Sequence, residues 1–349
     1  MCAMPDHEYK NMIHNLVVPE TLPDDEKGKK YQPLIDFLKF NTPDKLFRFR
    51  SCKERAFKEF DQDILGFSPA SEMNDDFDGM LYFEKERIKA TLIGAVTLQK
   101  INGIIDLVQK KAVPEEIKDH IPEAALQHII NSLLSLTPES INSLVNQFID
   151  FATEDYDKRM TFISQMTQSQ KIVCLSRKIE SAAMWGYYAN DGTGFALSYD
   201  LREPNFSEYC PVPVIYGEER FNATEYAEWL LQQQTLQRIL MSVNAHMLHP
   251  LFQHIIPCPD LFMSTKVLIH KASSWGHEKE WRLVYYEKNS QSEKYPHIPK
   301  KPTALYLGRN ISAIHEKILR HIAVEKNIPA YKMMICEDNP TYSLYPQIL

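Results

Sequence analysis

The chain has 349 residues, of which 44% are hydrophobic and 24% are charged, values typical of a globular protein with a substantial core. Its formal net charge of -7 at pH 7 argues against non-specific nucleic-acid binding by the surface as a whole. A local basic cleft remains compatible with that charge.

The six cysteines form no CxxC pair and resemble neither a disulfide framework nor a zinc knuckle. The first ten residues, MCAMPDHEYK, lack the apolar core of a signal peptide. No apolar run approaches the roughly 18 residues of a membrane span. We therefore expect reduced thiols, no membrane partner and a cytoplasmic location.

Residues 1–44 are predicted to form a polar lead-in with short helices. The first strand candidate, KLFRFRS, spans residues 45–51, and ILGFS supplies a second at residues 64–68. Between about residues 81 and 170, apolar residues recur at helical spacing and strand signals are few. This pattern predicts a helical insertion.

Strand signals return at residue 171. The predicted strands are KIVCLS, GFALSYD, VPVIYG, TALYLG, YKMMICE and YSLYP, and a second helical excursion is predicted at about residues 220–272. The fold prediction is α+β, with a mixed or antiparallel sheet of short strands interrupted by helical insertions. Residues 45–349 are predicted to form a single domain.

Two glutamates lie one residue apart in the segment SWGHEKEWRLVYYE, residues 274–287. If this segment is extended, Glu278, Glu280 and Arg282 share one face, because side chains alternate along a strand. The carboxylates are then candidates to meet a cation, a proton or a cofactor hydroxyl. The alternative is a solvated strand face with balanced charge.

Arg48 and Arg50 share one face of the first predicted strand. Each guanidinium offers a planar fork of donors, so the pair is suited to clamp a phosphate or a carboxylate. The alternative is an edge strand whose polar face is solvated.

The loop NDDFD contains Asn74, Asp75 and Asp78, whose oxygen atoms are of the type that holds Mg²⁺ or Ca²⁺. It lacks the spacing of an EF-hand, and the alternative is an Asx-turn that fixes the loop.

Further along, Trp185 and Tyr188 are candidates for an aromatic wall that stacks on a planar ring. Their spacing fits the core side of a helix equally well.

The sequence has no G-x-S-x-G, P-loop, G-x-G-x-x-G or HExxH motif, so serine hydrolase, P-loop, Rossmann and zinc-protease functions are not supported. Four ordered blocks instead resemble a bacterial family of unknown function. They are LFRFRS (46–51), FSPASEMNDDFD (67–78), CLSRKIESAAMWGYYANDGTGFALSYD (174–200) and KASSWGHEKEWR (271–282). Two positions depart from that family's pattern, since Tyr187 replaces a common histidine and Asp76 a common proline.

The order of an arginine on a first strand, a serine on a middle strand and E-x-E near a later strand is also similar to that of the R-S-E class of ADP-ribosyltransferases. This resemblance implies NAD as the cofactor. It implies transfer to an unidentified acceptor, whether a protein, a nucleic acid, a small molecule or water. A bacterial toxin, effector or phage-defence component is the expected setting.

The same resemblance implies roles for individual residues. Glu280 would hold the ribose 2′-hydroxyl and stabilise an oxocarbenium-like centre, while Glu278 would assist the acceptor. Ser176, or alternatively Ser68, would support the nicotinamide ribose. The cofactor-binding candidates are Arg48, Arg50, Trp185, Tyr188 and Lys271.

Two other classes of function stay open. In a metal-dependent nuclease or phosphoesterase, Asp75, Asp78, Glu278 and Glu280 would be oxygen ligands, with Lys271 on the scissile phosphate.

In a non-catalytic binding or sensor module, Glu278, Lys271 and Arg282 would form a buried ion network. That network would lock the corner between Trp275 and the EWR segment against Trp185.

Overall fold

The computed structural model describes residues 6–93, 137, 139, 143, 146, 150, 154–203, 209–242, 257–285, 293–338 and 340–349. Most of the helical insertion predicted at residues 81–170, and part of the excursion predicted at 220–272, lie outside these residues. Both therefore stay predictions over those parts.

Nine α-helices lie in the described part of the chain, and most surround a central sheet. They are α1 (Asp6–Asn15), α2 (Asp24–Asn41), α3 (Glu54–Asp61), α4 (Lys85–Ile93), α5 (Tyr156–Gln168), α6 (Ala182–Tyr188), α7 (Thr224–Ser242), α8 (Met263–Leu268) and α9 (Ala313–Glu325). Short 3-10 helices cover Ala70–Glu72 and Ser273–Glu278. Ser181 caps α6 and Ser312 caps α9, each by accepting a hydrogen bond from a backbone N–H of the first turn.

The strands are β1 (Leu46–Arg50), β2 (Ile64–Gly66), β3 (Ser68–Pro69), β4 (Lys171–Ser176), β5 (Phe195–Tyr199), β6 (Tyr209–Pro213), β7 (Ile215–Gly217), β8 (His270–Ala272), β9 (Glu280–Tyr285), β10 (His297–Pro299), β11 (Ala304–Leu307), β12 (Ala330–Ile335) and β13 (Leu344–Ile348). Nine of them form one sheet in the order β13-β12-β11-β5-β1-β4-β9-β6, with β3 paired to β4. Its pairs are antiparallel except β11 with β12. The predicted α+β fold with a mixed, mostly antiparallel sheet is confirmed.

The sheet separates two apolar layers. On one face, Leu46, Leu197 and Leu283 belong to the largest core cluster, to which α1 and α2 contribute Ile13 and Leu38. On the other face, α6 packs against β1 in a second cluster that contains Phe47, Phe49, Met184 and Trp185. Within the described residues, no helix is long and apolar enough to span a bilayer.

An opening in the middle of the sheet positions the site. Strand β1 pairs with β5 over all five of its residues, from Leu46 to Arg50. It pairs with β4 at one position, Phe47 opposite Ser176. The two strands therefore diverge beyond Phe47, and the sheet is open between them.

Candidate functional site

A pocket of about 150 Å³ lies where β1 and β4 diverge, and residues 47–50 and 172–176 line it. A cavity of this size has room for a single six-membered ring. The other walls come from loops, from α6 and from the segment that leads into β9. Their lining residues are Ser68, Met73, Asn74, Asp78, Met184, Tyr188, Lys271, Glu278 and Glu280.

The two glutamates reach the pocket through a tight turn. Glu278 ends the 3-10 helix, Lys279 has a left-handed backbone with φ 46°, and β9 begins at Glu280. The strand expected to include both glutamates therefore starts only at the second. Lys271 on β8 joins the two carboxylates, since its Nζ lies 2.7 Å from Glu278 Oε2 and 3.3 Å from Glu280 Oε2.

Arg282 completes this arrangement from the interior of the sheet. Its side chain is fully buried, and its Nε donates to Glu280 Oε1 at 2.8 Å. Its Nη2 donates to Asp78 Oδ1 at 2.8 Å, and its Nη1 donates to the main-chain oxygen of Leu268. We call Asp78, Lys271, Glu278, Glu280 and Arg282 the pocket ion network.

The network moves the pKa values of its two glutamates in opposite directions. Burial alone would raise the pKa of Glu280, but the charges of Arg282 and Lys271 outweigh it and hold that pKa at about 2. Burial and the neighbouring Glu280 charge raise the pKa of Glu278. At neutral pH Glu280 is therefore ionised, while Glu278 binds a proton more readily than an ordinary glutamate.

Two hydroxyl groups contact Glu278. The Tyr188 hydroxyl donates to Glu278 Oε1 and lies 3.1 Å from Asn74 Oδ1. Ser176 Oγ donates to the main-chain oxygen of Glu278 at 2.6 Å and accepts from the backbone N–H of Lys178 at 3.1 Å. The predicted site residues Ser176, Tyr188, Lys271, Glu278 and Glu280 thus lie together on one pocket.

Arg48 and Arg50 project from the opposite face of the sheet. Phe47 pairs with Ser176, and Ser176 pairs with Glu280, so these side chains share a face and their neighbour Arg48 points the other way. Arg48 Nη2 donates to the main-chain oxygen of Gly66 at 2.7 Å. Both arginines line the same pocket as Glu280, but from the other face of β1, and their predicted role in cofactor binding stays a prediction.

A single carboxylate, Glu59 on α3, binds both arginines. Its Oε2 lies 2.6 Å from Arg50 Nη2 and 3.5 Å from Arg48 Nη1, and its Oε1 lies 2.8 Å from Arg55 Nε. We call Arg48, Arg50, Arg55 and Glu59 the arginine cluster. Burial and the charge of Arg48 lower the pKa of Arg50 to about 9.

Trp185 has a different role from the predicted ring stacking. Trp185 is 2% exposed, donates its indole N–H to the main-chain oxygen of Ile179 and packs edge-on against Phe49, so it belongs to the core. Trp275 lies over Lys271, with Nζ 4.7 Å from the ring centroid. Of the two predicted wall residues, Tyr188 lines the pocket, together with Phe47 and Phe49.

The loop from Asn74 to Asp78 divides its oxygen atoms among different partners. Asp75 Oδ1 accepts from the backbone N–H of Phe77 at 3.0 Å, as in an Asx-turn. Asp78 binds Arg282, and Asn74 contacts Tyr188. Over the described ranges of the chain, no group of three or more His, Cys, Asp or Glu side chains is arranged to hold a metal ion.

Sequence reasoning missed three residues of these clusters. Cys174 lies two residues before Ser176, pairs with Arg282 across the sheet and lines the pocket, so strand alternation was a sufficient signal for it. The Tyr216 hydroxyl accepts from the Glu280 backbone N–H at 2.9 Å. Tyr216 and Glu59 come from distant segments, and nothing in their local sequence marks them.

Residues 184–283 match a family model described as "Protein of unknown function (DUF2971)". The matched segment runs from α6 to β9 and includes Tyr188, Lys271, Glu278, Glu280 and Arg282. Over this segment the chain is similar to a family whose function is not defined. No curated protein and no solved structure matched the chain.

Proposed function

We propose that the chain is an ADP-ribosyltransferase-like enzyme that cleaves the bond between the nicotinamide and the ribose of NAD and transfers the ADP-ribosyl group to an acceptor. The observation that carries this proposal is the pair of pocket carboxylates with oppositely shifted pKa values, Glu280 and Glu278. Such pairs are typical of sites that need one ionised and one proton-accepting carboxyl group.

Glu280 suits the stabilisation of positive charge. When the glycosidic bond breaks, its electron pair leaves with the nicotinamide ring and positive charge develops on the ribose carbon. A carboxylate that Arg282 and Lys271 hold ionised and fixed in position would stabilise that charge without reorganising.

Glu278 suits the activation of the acceptor. Its raised pKa makes it a better base for removing a proton from an attacking hydroxyl or amine as the new bond to the ribose carbon forms. The Tyr188 hydroxyl and the Lys271 ammonium hold the two oxygens of this carboxylate in place. Ser176 supports the same residue through its main-chain oxygen.

The pocket dimensions fit one ring of the substrate. Phe47, Met184 and Tyr188 give it apolar and aromatic walls suited to a nicotinamide-sized ring, and the rest of the dinucleotide would lie outside the cavity. The order of Ser176, Glu278 and Glu280 along the chain, which is similar to that of the R-S-E class of ADP-ribosyltransferases, supports the same assignment. Arg48 and Arg50 line the pocket, but we assign them no role here, because their guanidinium groups bind Glu59.

Nicotinamide release from millimolar NAD tests the proposal. We expect release by the wild-type protein and a loss of about 10²-fold or more in Glu280→Gln, since a fixed charge at the reacting centre is removed. Tyr188→Phe is the second variant, because it removes only a hydroxyl from a half-buried side chain and should fold normally. Melting temperatures are measured for each variant.

Asp260→Asn is the matched control. Asp260 forms a buried ion pair with Lys266 at 2.8 Å and is not among the residues that line the pocket, so this variant perturbs a buried carboxylate without touching the site. Equal loss of release in Asp260→Asn and Tyr188→Phe would contradict the proposal, as would no binding of NAD at all. Binding without release would favour a sensor module, and loss of activity in EDTA would favour a metal-dependent enzyme.

A further inference from the structure

A row of aromatic rings leads outward from the pocket wall. Tyr187 follows Tyr188 on α6 and is 68% exposed. Its ring centroid lies 6.2 Å from that of His277, and the His277 centroid lies 6.1 Å from that of Trp275. Three rings therefore follow one another at nearly equal steps next to the pocket residues Tyr188 and Glu278; Tyr187 and His277 are exposed, and Trp275 is half-buried.

Three cations lie on the segments that carry the pocket residues. Arg177 and Lys178 directly follow Ser176, and Lys279 lies between Glu278 and Glu280; all three side chains are exposed. The backbone N–H of Arg177 donates to the main-chain oxygen of Lys279 at 3.1 Å, which brings the two segments together. Across the described part of the chain, none of the three has an ion-pair partner.

This concentration of positive charge contrasts with the chain as a whole, whose formal net charge is -7. From residue 177 to residue 181 the single acid is Glu180. Unpaired surface cations beside exposed rings are not needed for folding, since such side chains bury little apolar area. Together they match a ligand that alternates phosphates with flat rings.

We propose that the rim formed by Arg177, Lys178, Tyr187, Trp275, His277 and Lys279 binds a single-stranded nucleic acid. Its bases stack on the exposed rings of Tyr187 and His277, which Trp275 supports from its place over Lys271. Its phosphates contact the three cations, and this combination is found in sequence-tolerant single-strand sites. A duplex does not fit this surface, because its bases are stacked on each other and offer no free faces. The further step of naming this strand as the acceptor rests on the proposed function.

Fluorescence polarisation with a short labelled single-stranded oligonucleotide, in the absence of NAD, tests the rim. We expect saturable binding that Tyr187→Ala weakens by about tenfold, the effect of losing one stacked base. Lys279→Asn keeps a residue that tolerates the left-handed backbone and removes one charge. It should lower the slope of log affinity against log salt concentration by about 0.7.

Tyr342→Ala is the matched control, because Tyr342 is a fully exposed tyrosine outside the rim. The proposal is overturned if the wild-type protein does not bind the oligonucleotide at low salt, if duplex DNA of the same length binds equally well, or if both tyrosine variants weaken binding equally. This assay contains no NAD and the release assay contains no oligonucleotide. Failure of the rim and failure of the proposed catalysis are therefore seen separately.

Discussion

Two charged clusters lie on opposite faces of the same sheet, and they are built in opposite ways. The pocket ion network joins three carboxylates, Asp78, Glu278 and Glu280, to two cations. The arginine cluster places three guanidinium groups around the one carboxylate of Glu59. The first therefore carries an excess of negative charge, and the second an excess of positive charge.

The pocket ion network has the features of a functional site, whereas the arginine cluster has those of a structural support. In the pocket ion network, neighbouring groups push the pKa values of two carboxylates apart beside a cavity that fits a ring. In the arginine cluster, the guanidinium groups fix β1 to α3 through Glu59 and to the end of β2 through Gly66. An arginine and a glutamate that look like partners in sequence order thus belong to different structural units.

The largest expected effect is on stability in Glu59→Gln. This change leaves three arginines without their shared anion, and breaking a buried pair in this way costs roughly 3–5 kcal/mol in the free energy of unfolding. Glu280→Gln should cost less, because Asp78 remains beside Arg282 and Glu278 beside Lys271. Urea denaturation measures the free energy of unfolding of both variants. A larger loss in Glu280→Gln than in Glu59→Gln would contradict this prediction.

The next largest effect is expected in the acid unfolding of the protein, through Glu280 of the pocket ion network. The folded pKa of Glu280 is about 2, below its ordinary value of 4.5, so the folded state binds fewer protons than the unfolded state between these values. The stability that this group contributes is therefore present above about pH 4.5 and is lost as the pH falls towards 2. Denaturation midpoints across this range should fall less steeply in Glu280→Gln. If the midpoint falls as steeply with pH in Glu280→Gln as in the wild-type protein, Glu280 does not control the loss of stability in acid.

A smaller effect is expected from Tyr188→Phe. The hydroxyl stabilises the ionised form of Glu278, so its removal raises the pKa of Glu278 further and costs about 1–2 kcal/mol of stability. If Glu278 acts as the base, the acidic limb of the pH profile for nicotinamide release should move to higher pH. A profile that keeps its position would argue against that role.

The smallest effect is expected in the arginine cluster itself. Arg50→Met removes an ion pair with Glu59 but also removes repulsion with Arg48 and the burial of one charge. These contributions oppose each other, so the stability should change by no more than about 1 kcal/mol. Arg48→Met, which leaves the Gly66 oxygen without its donor, is the comparison variant and should cost more. If Arg50→Met and Arg48→Met lower the free energy of unfolding equally, the arginine cluster does not carry excess positive charge.

Much of the fold was predictable from local patterns. Strands β1, β4 and β5 stand where short runs rich in aromatic or branched residues predicted them, because such side chains suit a pleated, buried surface. The segment before β9 was not predictable in this way. Nothing in SWGHEK predicts its 3-10 helix or the left-handed backbone of Lys279. Glycine is the residue that adopts a left-handed backbone most readily, and a lysine stands at this position.

The candidate site was predictable in part for a related reason. Residues close in sequence, such as Glu278, Glu280 and Arg282, stay close in space whichever local structure forms. The aromatic residue that lines the pocket was harder to predict. Trp185 and Tyr188 belong to one short helix, and only the packing of that helix decides which of them is buried.

The order of residues along each strand is enough to predict which of them share a face, because side chains alternate with a period of two wherever the backbone is extended. Which faces of different strands lie on the same side of the sheet depends on how the strands pair in three dimensions. The pairing of Phe47 with Ser176, across 129 positions of the chain, sets Arg48 against Glu59 rather than against Glu280. A register shifted by one residue would have reversed that choice, since it moves every side chain of a strand to the other face.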